Sequence, residues 1–157
     1  MEYLMTYGWA ILIVIIVAAA LFALGVFNPA TFTGQRATGF VNLGTPSPGQ
    51  WQLSSTGDFS LTLKNGLSSQ INITDIGVTL GSVTSAADLN GTAGCHATED
   101  FCIVGPGSTL AFNPMTLVPA LSAQAAGSSY SISVQVTYTP AGGYQQSDVG
   151  TLTGTVV

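Results

Sequence analysis

From Tyr7 to Phe27 the chain carries no charged side chain, and between Trp9 and Phe27 it shows no polar stripe. Helical residues rise 1.5 Å each, so as a helix this run spans about 30 Å, the thickness of a bilayer's hydrocarbon core. A helix lying on a soluble domain keeps one polar face. Here every face must meet something apolar, which leaves a membrane span or a helix enclosed by other helices. Asn28-Pro29 ends the run, because proline lacks an amide donor and turns the preceding residue away from helical geometry. The expectation is a hydrophobic helix over residues 1–27 and a linker, NPATFTGQR, over residues 28–36.

Beyond the linker the periodicity changes to two. In YSISVQVTY the apolar residues Tyr130, Ile132, Val134, Val136 and Tyr138 share one face, with Ser131, Ser133, Gln135 and Thr137 on the other. Phe59, Leu61 and Leu63 alternate after the turn signal STGD. Ile71 and Ile73 alternate, then the phase slips before Ile76, Val78 and Leu80, which predicts a bulge or bend near Asp75. VGTLTGTVV reads as a last strand with Leu152 and Val156 inward. Short strands separated by Gly, Pro, Asn and Ser predict an all-β sandwich of about seven strands over residues 37–157, able to fold without the helix. No second helix is predicted, although LVPALSAQAAG is long enough for a turn or two.

Charged residues make up 6% of the chain, against about 25% in ordinary soluble proteins, and the net charge is -5. Arg36 and Lys64 are the only cations. Nucleic acid is excluded as a partner, because phosphate binding needs clustered Lys and Arg. Polarity must come from Ser, Thr, Gln, Asn and Gly. Such a surface suits a protein outside the cell or one largely hidden in an assembly. Cys95 and Cys102, in GCHATEDFCIVG, close a small disulfide loop under oxidising conditions; two buried thiols in a reducing compartment are the alternative. One His and two Cys fall short of the four ligands of a structural zinc site, so no metal is expected and His96 reads as an exposed loop residue.

Catalysis finds no support: there is no Ser-His or Cys-His pairing and no pair of carboxylates with a cleft signature. Glu99 and Asp100 are adjacent in the cysteine loop, and Asp88-x-Asn90-Gly91 has the start of a calcium loop without its later ligands. Both read as solvated loop acids. No enzyme activity and no cofactor are expected. Asn72-Ile73-Thr74 and Asn90-Gly91-Thr92 match the N-glycosylation pattern, with Asn72 on the polar face of its strand and Asn90 in a Gly-rich loop.

The apolar run has no Lys or Arg before Arg36, although secretory signals and membrane spans usually carry basic flanks. A basic leader removed before Met1 accounts for this, making Met1 the first residue of a mature form; otherwise Met1 is the initiator. MEYLMTYGWAILIVIIV resembles the start of an archaeal type IV pilin, and EYLMTYGWAIL is close to a run that recurs in such pilins. The likeness covers about the first 28 residues, a length near that of a membrane span. It implies cleavage by a prepilin peptidase, retention of the subunit in the membrane by its helix, and extraction by an ATP-driven assembly machine into a homopolymer. Helices then form the filament core and β heads the outer wall. The implied fold class is α+β, a single long N-terminal hydrophobic helix followed by an all-β immunoglobulin-like sandwich head. Bacterial pilins place a glutamate at the fifth mature position, where this chain has Met5; the acid here is Glu2.

Small residues at Gly8, Ala10, Ala18, Ala19, Ala20, Ala23 and Gly25 would let such helices approach closely. Glu2 suits the positive end of a helix dipole, where it pairs with its own or a neighbour's α-amine. Alternatively it is an interfacial anchor, with Tyr3, Tyr7 and Trp9 as an aromatic belt. The function expected is the structural subunit of an extracellular pilus-like filament used for adhesion. The rivals are an archaellin of a motility filament and a non-polymerising single-pass surface protein with a β-sandwich binding domain.

Overall fold

Strict alternation over Tyr130–Tyr138 forces a strand that buries one face, and the chain builds its core on it. The computed structural model describes residues 2–24, 34–90, 92–96 and 99–157, with side chains from Tyr7 onward. It comprises helix α1 (Glu2–Ala23) and strands β1 (Arg36–Thr38), β2 (Leu43–Gly44), β3 (Trp51–Leu53), β4 (Phe59–Asn65), β5 (Ile71–Leu80) and β6 (Val83–Ala87). Then come β7 (Cys102–Val104), β8 (Thr109–Met115), β9 (Leu117–Val118), β10 (Ser129–Pro140) and β11 (Gln146–Thr155). Two compact units result, residues 1–32 and 33–157.

In the second unit, antiparallel strands form a seven-stranded sheet in the order β1-β11-β10-β5-β6-β9, with β7 also on β5, and a four-stranded sheet β2-β4-β3 with β8 on β4. Both sheets contribute to one core, which includes Trp51, Phe59 and Phe112 from the smaller sheet and Ile73, Ile76, Tyr138 and Leu152 from the larger. Trp51 Nε1 donates to the Thr153 carbonyl at 3.1 Å, a direct tie between the sheets. Every apolar residue of the β10 alternation is buried. So are Phe59, Leu61, Leu63, Ile71, Ile73, Ile76, Val78, Leu152 and Val156, while Leu80 is only partly covered.

The phase slip in β5 is a bulge. Ile73 pairs with Tyr138 and Asp75 with Thr137, which leaves Thr74 as the extra residue. The bend lets β5 change partner on its other edge, from β7 at residues 71–73 to β6 at residues 77–80. On β11, Gly150 and Gly154 face inward because aromatic rings occupy the space their side chains would take. A Cβ at Gly150 would fall inside the Phe40 ring, and one at Gly154 would lie 2.8 Å from Tyr130 Oη.

Three expectations are corrected. The helix does not run over residues 1–27 as a membrane span: α1 ends at Ala23, and among the described residues no helix is long and apolar enough to cross a membrane. The α+β class with a long hydrophobic helix therefore gives way to a chain that is mostly β-sheet (47%) with one short helix. The second unit holds eleven strands rather than about seven, because β1, β2, β3, β7 and β9 have two or three residues each, too few to show alternation. LVPALSAQAAG contains no helix; Leu117 and Leu121 are both buried along an extended path that begins with β9.

Two buried polar side chains were not singled out in the sequence. Asp148, 5% exposed, points inward from β11 and accepts the backbone N–H groups of Val41, Asn42 and Leu43 at 2.8–3.1 Å. Asn65, fully buried, donates through Nδ2 to the carbonyls of Ser69, Val104 and Gly105 and accepts the Leu67 N–H through Oδ1. Asp148→Asn puts an amide N–H₂ or a single neutral oxygen where a carboxylate receives three donors. It should lower unfolding free energy by about 2–3 kcal/mol, read from the urea midpoint. A loss below about 0.5 kcal/mol would mean these bonds are replaced by water.

Tyr130 gives the opposite case. Its Oη is buried with no hydrogen-bond partner, and burial raises the phenol above its usual 10.0, an effect the nearby Leu53 backbone offsets in part. In the unfolded chain the phenol ionises first, so above about pH 10 the unfolded state binds fewer protons and stability falls as pH rises; below that pH the effect vanishes. Tyr130→Phe should therefore match or exceed the parent in neutral urea melts and lose less stability between about pH 9 and pH 11. A variant clearly weaker at neutral pH would show that Oη is bonded after all.

Candidate assembly surface

α1 presents apolar side chains around its whole circumference. Trp9, Ile11, Leu12, Ile13, Val14, Ile15, Ile16 and Val17 are 47–66% exposed, and successive residues turn by about 100°, so consecutive exposed positions sample every direction. No polar face separates them. Each of these side chains gains about 1.5–3 kcal/mol when fully buried, so the helix carries a large unspent driving force for association.

Small residues interrupt the bulky ones. Ala18, Ala19, Ala20 and Ala23 are exposed, Ala10 is half-buried, and Gly8 is half-buried with nothing within 4 Å of where its Cβ would stand. These positions permit close approach of a second backbone. Glu2 and Tyr3 belong to α1, but their side chains lie outside the described set, and Met1 and Gly25 lie outside the described residues altogether. Residues 28–33 of the expected linker also fall outside them; Arg36 opens β1.

In the second unit, the residues singled out for modification or chemistry occupy separate places. Cys95 and Cys102 form a disulfide. Cys102 is fully buried on β7, so the bond fastens the loop before β7 to the core. Within the loop the His96 and Phe101 rings stack with centroids 4.5 Å apart, and the His96 N–H donates to the Phe101 carbonyl at 2.9 Å. His96 is exposed, as the sequence suggested.

Asp100 meets Asp75 and Asp88 around a cavity of about 350 Å³ that Ala87, Leu89 and Val118 also line. Asp88 Oδ1 accepts the Asn90 N–H at 3.0 Å, so this carboxylate closes its own turn. Among the described residues, no three His, Cys, Asp or Glu side chains are placed to hold a metal ion. Asn72 is half-buried on the outer face of β5, between Thr139 of β10 and Ile103 of β7. Asn90 is exposed, though Gly91 of its sequon lies outside the described residues.

No protein-family model matches the chain, and no curated protein matches it.

The disulfide closes a short loop, and the chain-entropy relation assigns such a closure about 2–3 kcal/mol. Cys95→Ser, which leaves the buried Cys102 in place, should lower thermal stability by that amount, and a reductant should lower the parent to a similar level. If reduced parent and variant both melt with the oxidised protein, the loop contributes nothing to folding.

Proposed function

We propose that the chain is the structural subunit of an extracellular filament of the type IV pilin kind, assembled through α1 and serving adhesion. The supporting observation is the apolar surface of α1, exposed on all sides, which needs cover that a homopolymer supplies by packing α1 against α1 of other copies. The opening EYLMTYGWAIL, with its likeness to archaeal type IV pilins, points the same way. The Cys95–Cys102 disulfide is consistent with an oxidising, external setting.

In this reading the role is mechanical rather than catalytic. Copies are added by an ATP-driven assembly machine after a prepilin peptidase has trimmed the precursor. Alanines 18, 19, 20 and 23 let backbones approach, the Ile and Val side chains fill the spaces between, and Glu2 pairs with an α-amine at the helix start. Burial of Ile11, Leu12, Ile15 and Ile16 across many copies gives a polymer that resists dissociation.

Val14→Lys tests this with little risk to the second unit, which contains its own core. The full-length parent should form filaments visible by electron microscopy. The variant, forced to bury an ammonium in the helix core, should remain as small species by sedimentation while its β unit melts at the parent temperature. A parent that stays monomeric at high concentration, or a Val14→Lys chain that polymerises equally well, would reject α1-driven assembly.

A further inference from the structure

Four loops meet at one end of the β unit: residues 39–42, 65–70, 105–108 and 140–146. Backbone bonds join them to one another. The Gly66 N–H donates to the Asn42 carbonyl at 3.0 Å, the Gly107 N–H to the Asn65 carbonyl at 3.0 Å, and the Ala141 N–H to the Gln70 carbonyl at 2.9 Å. Side chains complete the lattice. Asn42 Nδ2 donates to Tyr138 Oη at 2.9 Å, and Tyr138 Oη donates to Gln146 Oε1 at 3.2 Å.

Asp148 and Asn65 both act at this end. The first grips the backbone of residues 41–43; the second holds residues 67 and 69 together with residues 104 and 105. Phe40 seats the first loop by lying over Gly150. Buried polar groups that are fully bonded rigidify what they touch, and here they fix loops rather than sheets.

What these rigid loops display is unusual for a solvent-facing end. Tyr144 and Val41 are 91% and 84% exposed, the two highest values for large apolar side chains among the described residues. The same loops carry exposed amides and hydroxyls, Gln145 and Gln146 beside Tyr144 in the chain and Gln70 and Ser68 on the loop bonded to Ala141 through the Gln70 carbonyl. The four loops contain no Asp, Glu, Lys, Arg or His. A projecting Tyr with amide and hydroxyl neighbours on a preordered loop set has the composition of a recognition surface. The Tyr ring offers a flat apolar face at low entropic cost, and the amides offer both donors and acceptors.

We infer that this loop end binds an uncharged carbohydrate, with the Tyr144 ring stacked on the C–H face of a sugar and the surrounding amides bonded to its hydroxyls. The absence of charge selects against polyanions and for a ligand that is itself neutral, polar and hydroxyl-rich. Preordering by Asp148 and Asn65 lowers the entropy lost on binding. The site lies wholly in the second unit and does not depend on polymerisation, so it stands or falls separately from the filament reading.

The test uses the full-length chain over immobilised neutral gluco-, manno- and galacto-oligosaccharides, with heparin as the polyanion control. The parent should be retained by at least one neutral probe and not by heparin. Tyr144→Ala should weaken that retention by about tenfold or more, while Tyr144→Phe, which keeps the ring, should retain it. Both variants should melt with the parent, since Tyr144 is almost fully exposed. Retention by no neutral probe, equal retention of Tyr144→Ala, or preference for heparin would each overturn the assignment.

Discussion

The register of β10 is the constraint on which the β unit depends. This strand is paired along nearly its whole length on both edges, to β11 from Ser129 to Tyr138 and to β5 from Ile132 to Pro140. A shift of one residue would turn Ile132, Val134, Val136 and Tyr138 outward and bring Ser133, Gln135 and Thr137 into the core. Such a slip would expose several side chains worth about 1.5–3 kcal/mol each, so one register dominates. Once β10 is set, the alternation of β11 places Leu152 and Asp148 inward, and Gly150 and Gly154 open spaces for Phe40 and Tyr130. The bulge at Thr74 then lets β5 follow β10 past Tyr138 and still reach both β6 and β7.

The same register gives the outer face of the large sheet a polar surface with few charges. Thr38, Thr151, Ser133 and Thr79 lie side by side across β1, β11, β10 and β5, and Thr84 continues the row on β6. Thr79 and Thr84 hydroxyls are 3.1 Å apart. A hydroxyl row of this kind hydrates the outer face while favouring strand geometry, because β-branched Thr packs well on a pleated surface. In the proposed filament, such an uncharged face would spare neighbouring copies like-charge repulsion.

Legibility in the sequence followed length and partner type. Four of the longer strands announced themselves through alternation, as in Phe59–Leu63 and Tyr130–Tyr138, and the phase slip near Asp75 marked a real bulge; β8, also seven residues, was not read, because Asn113-Pro114 breaks its pattern. The shortest strands left no period to read. Asp148 was invisible for a different reason: its partners are backbone N–H groups of residues 41–43, which have no side-chain signature and stand far away in the chain. Asn65 is hidden in the same way. The Cys95–Cys102 pair was readable because its chemistry is local. The helix misled in extent, since apolar composition reports which residues avoid water but not where helical geometry stops, and α1 ends at Ala23 rather than Phe27.

The two units answer to opposite demands, which explains why their sequences look so unlike. Among its described residues α1 carries large apolar side chains that are mostly exposed, and the proposed filament would cover them. The β unit is already satisfied: its core is closed, its outer sheet face is hydroxylated, and among the described residues its buried side-chain N and O atoms, Ser85 Oγ and Tyr130 Oη apart, are bonded. In the proposed filament, stability of the β unit therefore need not change with polymer state, whereas the helix would gain stability from neighbours. Separation of this kind lets the solvent-facing loops be held rigid by Asp148 and Asn65 without regard to how tightly the helices pack. On the proposed reading, substitutions in α1 act on assembly and substitutions at the loop end act on sugar binding, so the two can be tested independently.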